Sequence, residues 1–182
     1  MGNVCTIVTT QADHQSKASK SGNDFQHQIF QKIISEIKDP KFMILQPRSS
    51  VYLPGNEKRP RHFSCLEIVT PIGSFIGDTD IVIFNKLRHK PVLIISCKTS
   101  VRERITQSLY YSRLYRDKYG LIPFFLITKD VKGEFGTEKK AGKARILAEH
   151  ERMWVFTENI KTIGGCVKPL DSLIQEIWRV IR

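Results

Sequence analysis

The sequence predicts an α/β fold: a single domain with a central mixed β-sheet flanked by helices. Three observations carry this expectation. Short apolar runs rich in strand formers, such as 81–84 (IVIF) and 121–128 (LIPFFLIT), alternate with stretches of helical periodicity. The 182 residues, 41% of them hydrophobic, suffice for one well-packed domain and leave little room for two. The run at 121–128 is apolar throughout, as a buried and parallel central strand requires.

Taken in order, residues 1–20 are polar and poor in large apolar side chains after Val8, which predicts a flexible N-terminal arm. The domain proper is expected over 21–182. Ser21, Gly22, Asn23 and Asp24 have the S-x-x-D form of a capping box. Phe25, Ile29, Phe30, Ile33, Ile34 and Ile37 then mark one face of a helix that Pro40 ends. Gln26 and Gln28 on this helix are expected to be solvated. A short strand at 42–45 leads into a loop over 47–61, which holds Arg48, Lys58 and Arg59 among its charges.

Residues 63–70 read as a strand that turns through Pro71, Ile72, Gly73 and Ser74 into the next. Pairing Thr70 with Phe75 places Glu67 opposite Asp78 and diagonal to Asp80, all facing one side. A second hairpin follows: Asp80 opens the run 81–84, a polar turn spans 85–90, and 92–96 is a buried run ending in Cys97 and Lys98. From Thr99 or Ser100 a helix is expected to Lys118, stopped by Gly120, with Arg102 and Arg104 on its first turn. The strand at 121–128 completes a hairpin, helix, strand core. A glycine-bearing loop over 129–143, a basic helix over 143–152 and a strand at 153–157 come next. Leu170, Leu173, Ile174, Ile177, Trp178 and Ile181 give a C-terminal amphipathic helix.

The chemistry concentrates in residues 76–104, IGDTDIVIFNKLRHKPVLIISCKTSVRER. Side chains alternate along a strand, so Ser96 and Lys98 share one face, and Asp78 and Asp80 share a face of the strand before. When those faces coincide, carboxylates and an ammonium converge. Such a cluster suits phosphodiester hydrolysis: carboxylates hold Mg²⁺ beside the scissile phosphate, and a lysine orients water and offsets the developing charge.

At these residues the chain resembles the PD-(D/E)xK nuclease superfamily. Asp80 takes the place of the first acid, with Thr79 where proline often stands, Ser96 takes the second acidic position, and Lys98 is the motif lysine. The residues after Lys98 resemble the SxK variant of type II restriction endonucleases that read CC/GG-containing palindromes. That resemblance implies a restriction-endonuclease-like fold and gives base reading to Arg102, Glu103 and Arg104. Arginine donates bidentately to guanine O6 and N7, and a carboxylate accepts from cytosine N4. Relatives usually carry a further acid thirteen or fourteen residues beyond the lysine, where this chain has Tyr111 and Ser112. Glu67 is therefore the candidate for the third acid beside Asp80 and Asp78. The Gln107 and Tyr111 spacing reads as core packing.

The formal net charge of +11 favours a polyanionic partner, because lysines and arginines that neutralise phosphates release counterions. Cys5, Cys65, Cys97 and Cys166 lie far apart with no CxxC pair. Neither a zinc site nor a disulfide framework is indicated, and a cytoplasmic location fits. No apolar run approaches a membrane span. His14, His27, His62, His89 and His150 are scattered and form no catalytic constellation.

The leading expectation is a Mg²⁺-dependent type II restriction endonuclease acting on double-stranded DNA as a homodimer. Its twofold axis would match a palindromic site, and a cognate DNA methyltransferase would belong to the same system. Two alternatives remain open: a structure-selective or repair nuclease of the same fold, and a non-catalytic DNA-binding module.

Overall fold

The computed structural model describes residues 11–47, 66–70, 73–77, 79–101, 104–136 and 142–182. In chain order the elements are α1 (Gln11–Glu36), β1 (Phe42–Leu45), β2 (Glu67–Thr70), β3 (Gly73–Ile76), β4 (Ile81–Asn85), β5 (Lys90–Lys98) and α2 (Ile105–Tyr119). They continue as β6 (Phe124–Thr128), α3 (Gly142–His150), β7 (Trp154–Thr157), β8 (Val167–Pro169) and α4 (Leu173–Ile181). Six strands form one mixed sheet in the order β1-β4-β5-β6-β7-β8, and β2 and β3 form a separate hairpin. The expected α/β architecture, a mixed sheet flanked by helices, is the observed one.

Pairing follows from the connections. The turn over 86–89 closes β4 on β5 antiparallel, with Ile81 opposite Ile95 and Val82 opposite Ile94. Asn85 makes that turn: its side-chain Oδ1 accepts from the N–H groups of Leu87 and Arg88. A parallel partner for β5 needs a crossover, which α2 supplies, so β6 lies parallel with Ser96 beside Leu126 and Lys98 beside Thr128. Of the apolar run at 121–128, only Phe124–Thr128 form the parallel strand, buried throughout, and Leu121 is exposed.

Alternation splits the interior into two layers. On one face Ile81, Ile83, Leu93, Ile95, Phe125 and Ile127 pack against Phe25, Ile29 and Ile33 of α1 and Leu173 and Ile177 of α4. On the other, Val82, Ile94 and Leu126 meet Ile105, Leu109 and Tyr115 of α2 and Ala148 of α3. Each fully buried apolar side chain contributes about 1.5–3 kcal/mol, so the even-numbered residues of β4 and β5 are held towards α2.

Several boundaries differ from expectation. Helix α1 starts at Gln11, so the Ser21–Asp24 capping box and residues 11–20 of the expected arm lie inside it, and residues 1–10 lie outside the described residues. Residues 11–20 hold no glycine or proline to stop a helix, and a capping motif does not prevent one from arriving from upstream. Helix α2 starts at Ile105 with Arg104 as its N-cap, so Arg104 precedes the first turn instead of lying on it. The helix does end at Gly120, whose φ of 76° suits glycine. Strand β8 is too short for any periodicity to announce it. The loop residues Arg48, Lys58 and Arg59, and residues 63–65 of the expected strand, lie outside the described residues.

Candidate active site at the ends of strands β4 and β5

The register of the β4–β5 hairpin decides the site. With Ile81 opposite Ile95 and the Asp80 N–H donating to the Ile95 carbonyl at 2.9 Å, Asp80 sits at the mouth of β4 beside the last residues of β5. Asp80, Ser96 and Lys98 therefore share the α2 face, as alternation anticipates, and Cys97 faces the α1 layer.

Asp80 Oδ2 is the focus. It accepts from the Cys97 N–H at 2.6 Å and from Lys98 Nζ at 3.3 Å, and the Ser96 hydroxyl reaches it at 3.5 Å, the outer limit of a hydrogen bond. The side chains of Lys98 and Asp80 are only 11% and 12% exposed, so their ion pair is shielded from bulk water. In such surroundings opposite charges interact more strongly than on an open surface.

Behind this cluster the scaffold is built from groups that the sequence left unassigned. The Tyr115 hydroxyl, fully buried, accepts from the Gly77 N–H at 3.1 Å and from Thr79 Oγ1 at 3.0 Å, and donates to the Leu66 carbonyl at 3.4 Å. One oxygen thereby ties the residue before Asp80 to the residue before Glu67. Gly77 lies so close to the Tyr111 ring that a Cβ would overlap it. Tyr111 also meets Phe75 edge-on at 6.4 Å, so its role is packing, as its spacing suggests. Gln26 of α1 is not the solvated glutamine expected: it is partly buried, and its Nε2 donates to the Asp80 carbonyl at 3.3 Å.

The β2–β3 hairpin corrects the expected register. Thr70 pairs with Gly73 and Glu67 with Ile76, two residues away from the pairing that would set Glu67 opposite Asp78. Only two residues separate the strands, the commonest hairpin length, in place of the longer turn read from the sequence. Lys118 Nζ donates to the Glu67 carbonyl at 2.6 Å, which further ties this hairpin to α2. Asp78, Arg102 and Glu103 lie outside the described residues; Arg104 is exposed at the start of α2.

Beyond Lys98 the chain is anchored at Val101, whose side chain is buried and whose carbonyl accepts from the N–H groups of Arg104 and Ile105. The loop after β6 is organised by Asp130. Its carboxylate accepts from the Glu134 N–H at 2.6 Å and the Phe135 N–H at 3.4 Å. Burial pushes the Asp130 carboxyl above the usual carboxylate range, against the opposing pull of these bonds and of the Thr162 hydroxyl.

Among the described residues no three His, Cys, Asp or Glu side chains cluster as a metal site, so a site complete in itself is not formed by them. The donors near Asp80 are carboxylate, hydroxyl and carbonyl oxygens, the hard set that Mg²⁺ takes. Cys97 and Cys166 are both buried. No helix among the described residues is long and apolar enough to cross a membrane.

A mixed sheet with an acid and a lysine at the ends of neighbouring strands, backed by helices on both faces, is the restriction-endonuclease-like fold. Residues 64–176, more than half of the chain, match the family model described as BsaWI restriction endonuclease type 2, and the chain belongs to that family. Its fold is similar to that in a solved structure described as the pre-specific restriction endonuclease BsaWI–DNA complex. The TM-score is 0.54 and the identity 14%, over 93% of this chain and 64% of the other. The chain thus spans less than two thirds of the length of that protein. No curated protein matches the sequence.

Proposed function

We propose that the chain is a type II restriction endonuclease that makes Mg²⁺-dependent, sequence-specific double-strand cuts in DNA at a short palindrome containing G:C pairs. The observation that carries this reading is the convergence of Lys98 Nζ and Ser96 Oγ on Asp80 Oδ2 within a shielded strand-end site. Membership of a restriction endonuclease family supports it, and so does the net charge of +11.

Asp80 and Asp78 hold the cation, with Glu67 as the third acid; the Tyr115 hydroxyl links Leu66, the residue before Glu67, to Thr79, the residue before Asp80. Bound Mg²⁺ supplies charge neutralisation at the phosphate and a water of lowered pKa. Lys98, paired with Asp80, orients the attacking water and donates to the phosphoryl oxygens as charge grows on them. The water oxygen forms a bond to phosphorus and gives up a proton to solvent, the bond to the leaving sugar oxygen breaks, and that oxygen takes up a proton from solvent. Ser96 donates to Asp80 and fixes its orientation where relatives carry a second acid. Cys97 does the same through its main-chain N–H, and Gln26 restrains the Asp80 backbone from α1.

Base reading falls to Arg102 and Arg104 for guanines and Glu103 for cytosines. A palindromic target calls for a homodimer with a matching twofold axis, and a DNA methyltransferase of the same specificity would protect the host.

Incubating the protein with a long unmethylated DNA of known sequence, with Mg²⁺ or with EDTA, and mapping the ends tests this function. Discrete Mg²⁺-dependent fragments ending at one G:C-containing palindrome are expected. A smear would instead identify a structure-selective nuclease. Uncut DNA that still shifts on a gel would identify a non-catalytic binding module.

A further inference from the structure

We infer that Glu134 is a positioning residue that fixes the link between the catalytic strand and the base-reading segment. The inference rests on the proposed role of Arg104 in reading bases.

Strand β5 ends at Lys98 and α2 begins at Ile105, so Val101 lies between the two elements. The chain is held at Val101 in three ways. The side chain is buried among Leu66, Leu109 and their neighbours, and the carbonyl accepts from Arg104 N–H at 2.7 Å and Ile105 N–H at 2.9 Å. The third hold comes from a distant part of the sequence: the Val101 N–H donates to Glu134 Oε2 at 2.9 Å. Removing that acceptor frees the one bond that sets the rotation of the peptide entering the turn. The direction in which Arg104 leaves the sheet depends on that rotation.

Glu134 is itself mounted on a rigid strap. The loop starts at Thr128, the register partner of Lys98, and Thr128 Oγ1 accepts from Asp130 N–H. Asp130 then gathers the N–H groups of Glu134 and Phe135, Asn159 Nδ2 donates to the Asp130 carbonyl, and Phe135 plugs the core fully buried. Asp130 and Gly133 both adopt positive φ, 45° and 67°, so the strap is bent to a specific shape. One end of this strap is therefore set by the strand bearing Lys98, and its side chain sets Val101. Any displacement of one is felt at the other.

A carboxylate is also suited to this place. Helix α2 has no acid in its first turn, and Arg104 makes no side-chain cap bond. The Glu134 charge beside Val101 supplies the missing negative group near the positive end of the helix. Its second oxygen, Oε1, is buried with no hydrogen-bond partner among the described residues, an unfavourable arrangement that packing alone does not call for.

The test compares the wild-type protein with Glu134→Ala, Glu134→Asp and Glu134→Gln. Alanine removes the acceptor, aspartate keeps the charge and falls short of Val101, and glutamine keeps both reach and acceptor. Two readouts are taken: cleavage of the mapped site against sites with one base pair changed, and amide exchange of residues 99–106 in the free protein. With melting temperatures unchanged, alanine and aspartate should lower the ratio of cognate to altered-site cleavage by about 10- to 100-fold, the scale of a lost base contact. Glutamine should stay within about 3-fold of wild type, and exchange at Val101 should quicken in the alanine and aspartate proteins alone. A folded alanine variant that keeps full discrimination, or a glutamine variant as impaired as alanine, overturns the inference. If the wild-type protein cuts without sequence preference, the base-reading role of Arg104 falls. The exchange at Val101 then decides by itself whether Glu134 sets this link.

Discussion

Tyr115→Phe is the perturbation that best separates scaffold from chemistry, because it deletes one oxygen and leaves the ring. That oxygen accepts from the Gly77 N–H at 3.1 Å and the Thr79 hydroxyl at 3.0 Å, and both donors are buried. A buried donor that loses its partner costs about 1–3 kcal/mol. The Gly77 N–H cannot turn elsewhere, whereas the Thr79 hydroxyl can rotate, and the bond to the Leu66 carbonyl is long at 3.4 Å. The sum is about 2–4 kcal/mol, with little from Leu66. For a chain of this length each kcal/mol shifts the melting temperature by about 2–4 °C, so a fall of roughly 5–15 °C is expected by calorimetry. Thr79 precedes Asp80, so the single-turnover cleavage rate should drop by about 10-fold while DNA affinity holds, since misplaced catalytic groups raise the barrier and leave binding intact. A variant that melts within 2 °C of wild type and cuts at the same rate would refute the role assigned to this hydroxyl.

Other outcomes follow from the same geometry. Gly77→Ala drives a methyl into the Tyr111 ring and should cost about 1–3 kcal/mol, seen as a lower midpoint in urea unfolding. Burial pushes the Cys166 thiol up to about 11, so at pH 8 about one molecule in a thousand carries the thiolate. Mass spectrometry of the folded protein after brief iodoacetamide treatment should find Cys166 unmodified. Glu151 is held below its ordinary value: burial raises it, but the bond and charge of Arg116 and the neighbouring His150 outweigh that. Its contribution to stability is present above the unfolded value of about 4.5 and is lost as pH falls through the lower folded value, so Arg116→Ala should flatten the stability curve in that acid window.

The parts of the site legible in the sequence were the local ones. Strand alternation put Ser96 and Lys98 on one face, and the pairing of Ile81 with Ile95, which the sequence left open, sets Asp80 against them. The β6 strand was legible for a related reason: an unbroken apolar run only suits a position covered on both faces. What escaped was non-local. The β2–β3 register depends on the length of one turn, and Glu67 moved by two residues with it. The late start of α2 is set by Val101 being drawn into the core and bonded by Glu134, a residue more than thirty positions away. Tyr115 drew no reading from the sequence, and Gln26 read as a surface amide. Nothing in their neighbourhoods announces that one props Gly77 and Thr79 and the other touches the Asp80 backbone.

The central claim is that Lys98, paired with Asp80, performs phosphodiester cleavage. The most direct measurement is the single-turnover cutting rate and the DNA affinity of Lys98→Met beside wild type, on the mapped site with Mg²⁺. Methionine keeps the length of the apolar stem and removes the ammonium that lies 3.3 Å from Asp80 Oδ2. Loss of one charge-stabilising donor slows cutting by about 10²- to 10³-fold or more, and the account predicts that loss with affinity within a few-fold of wild type. A folded Lys98→Met protein that cuts as fast as wild type would contradict it.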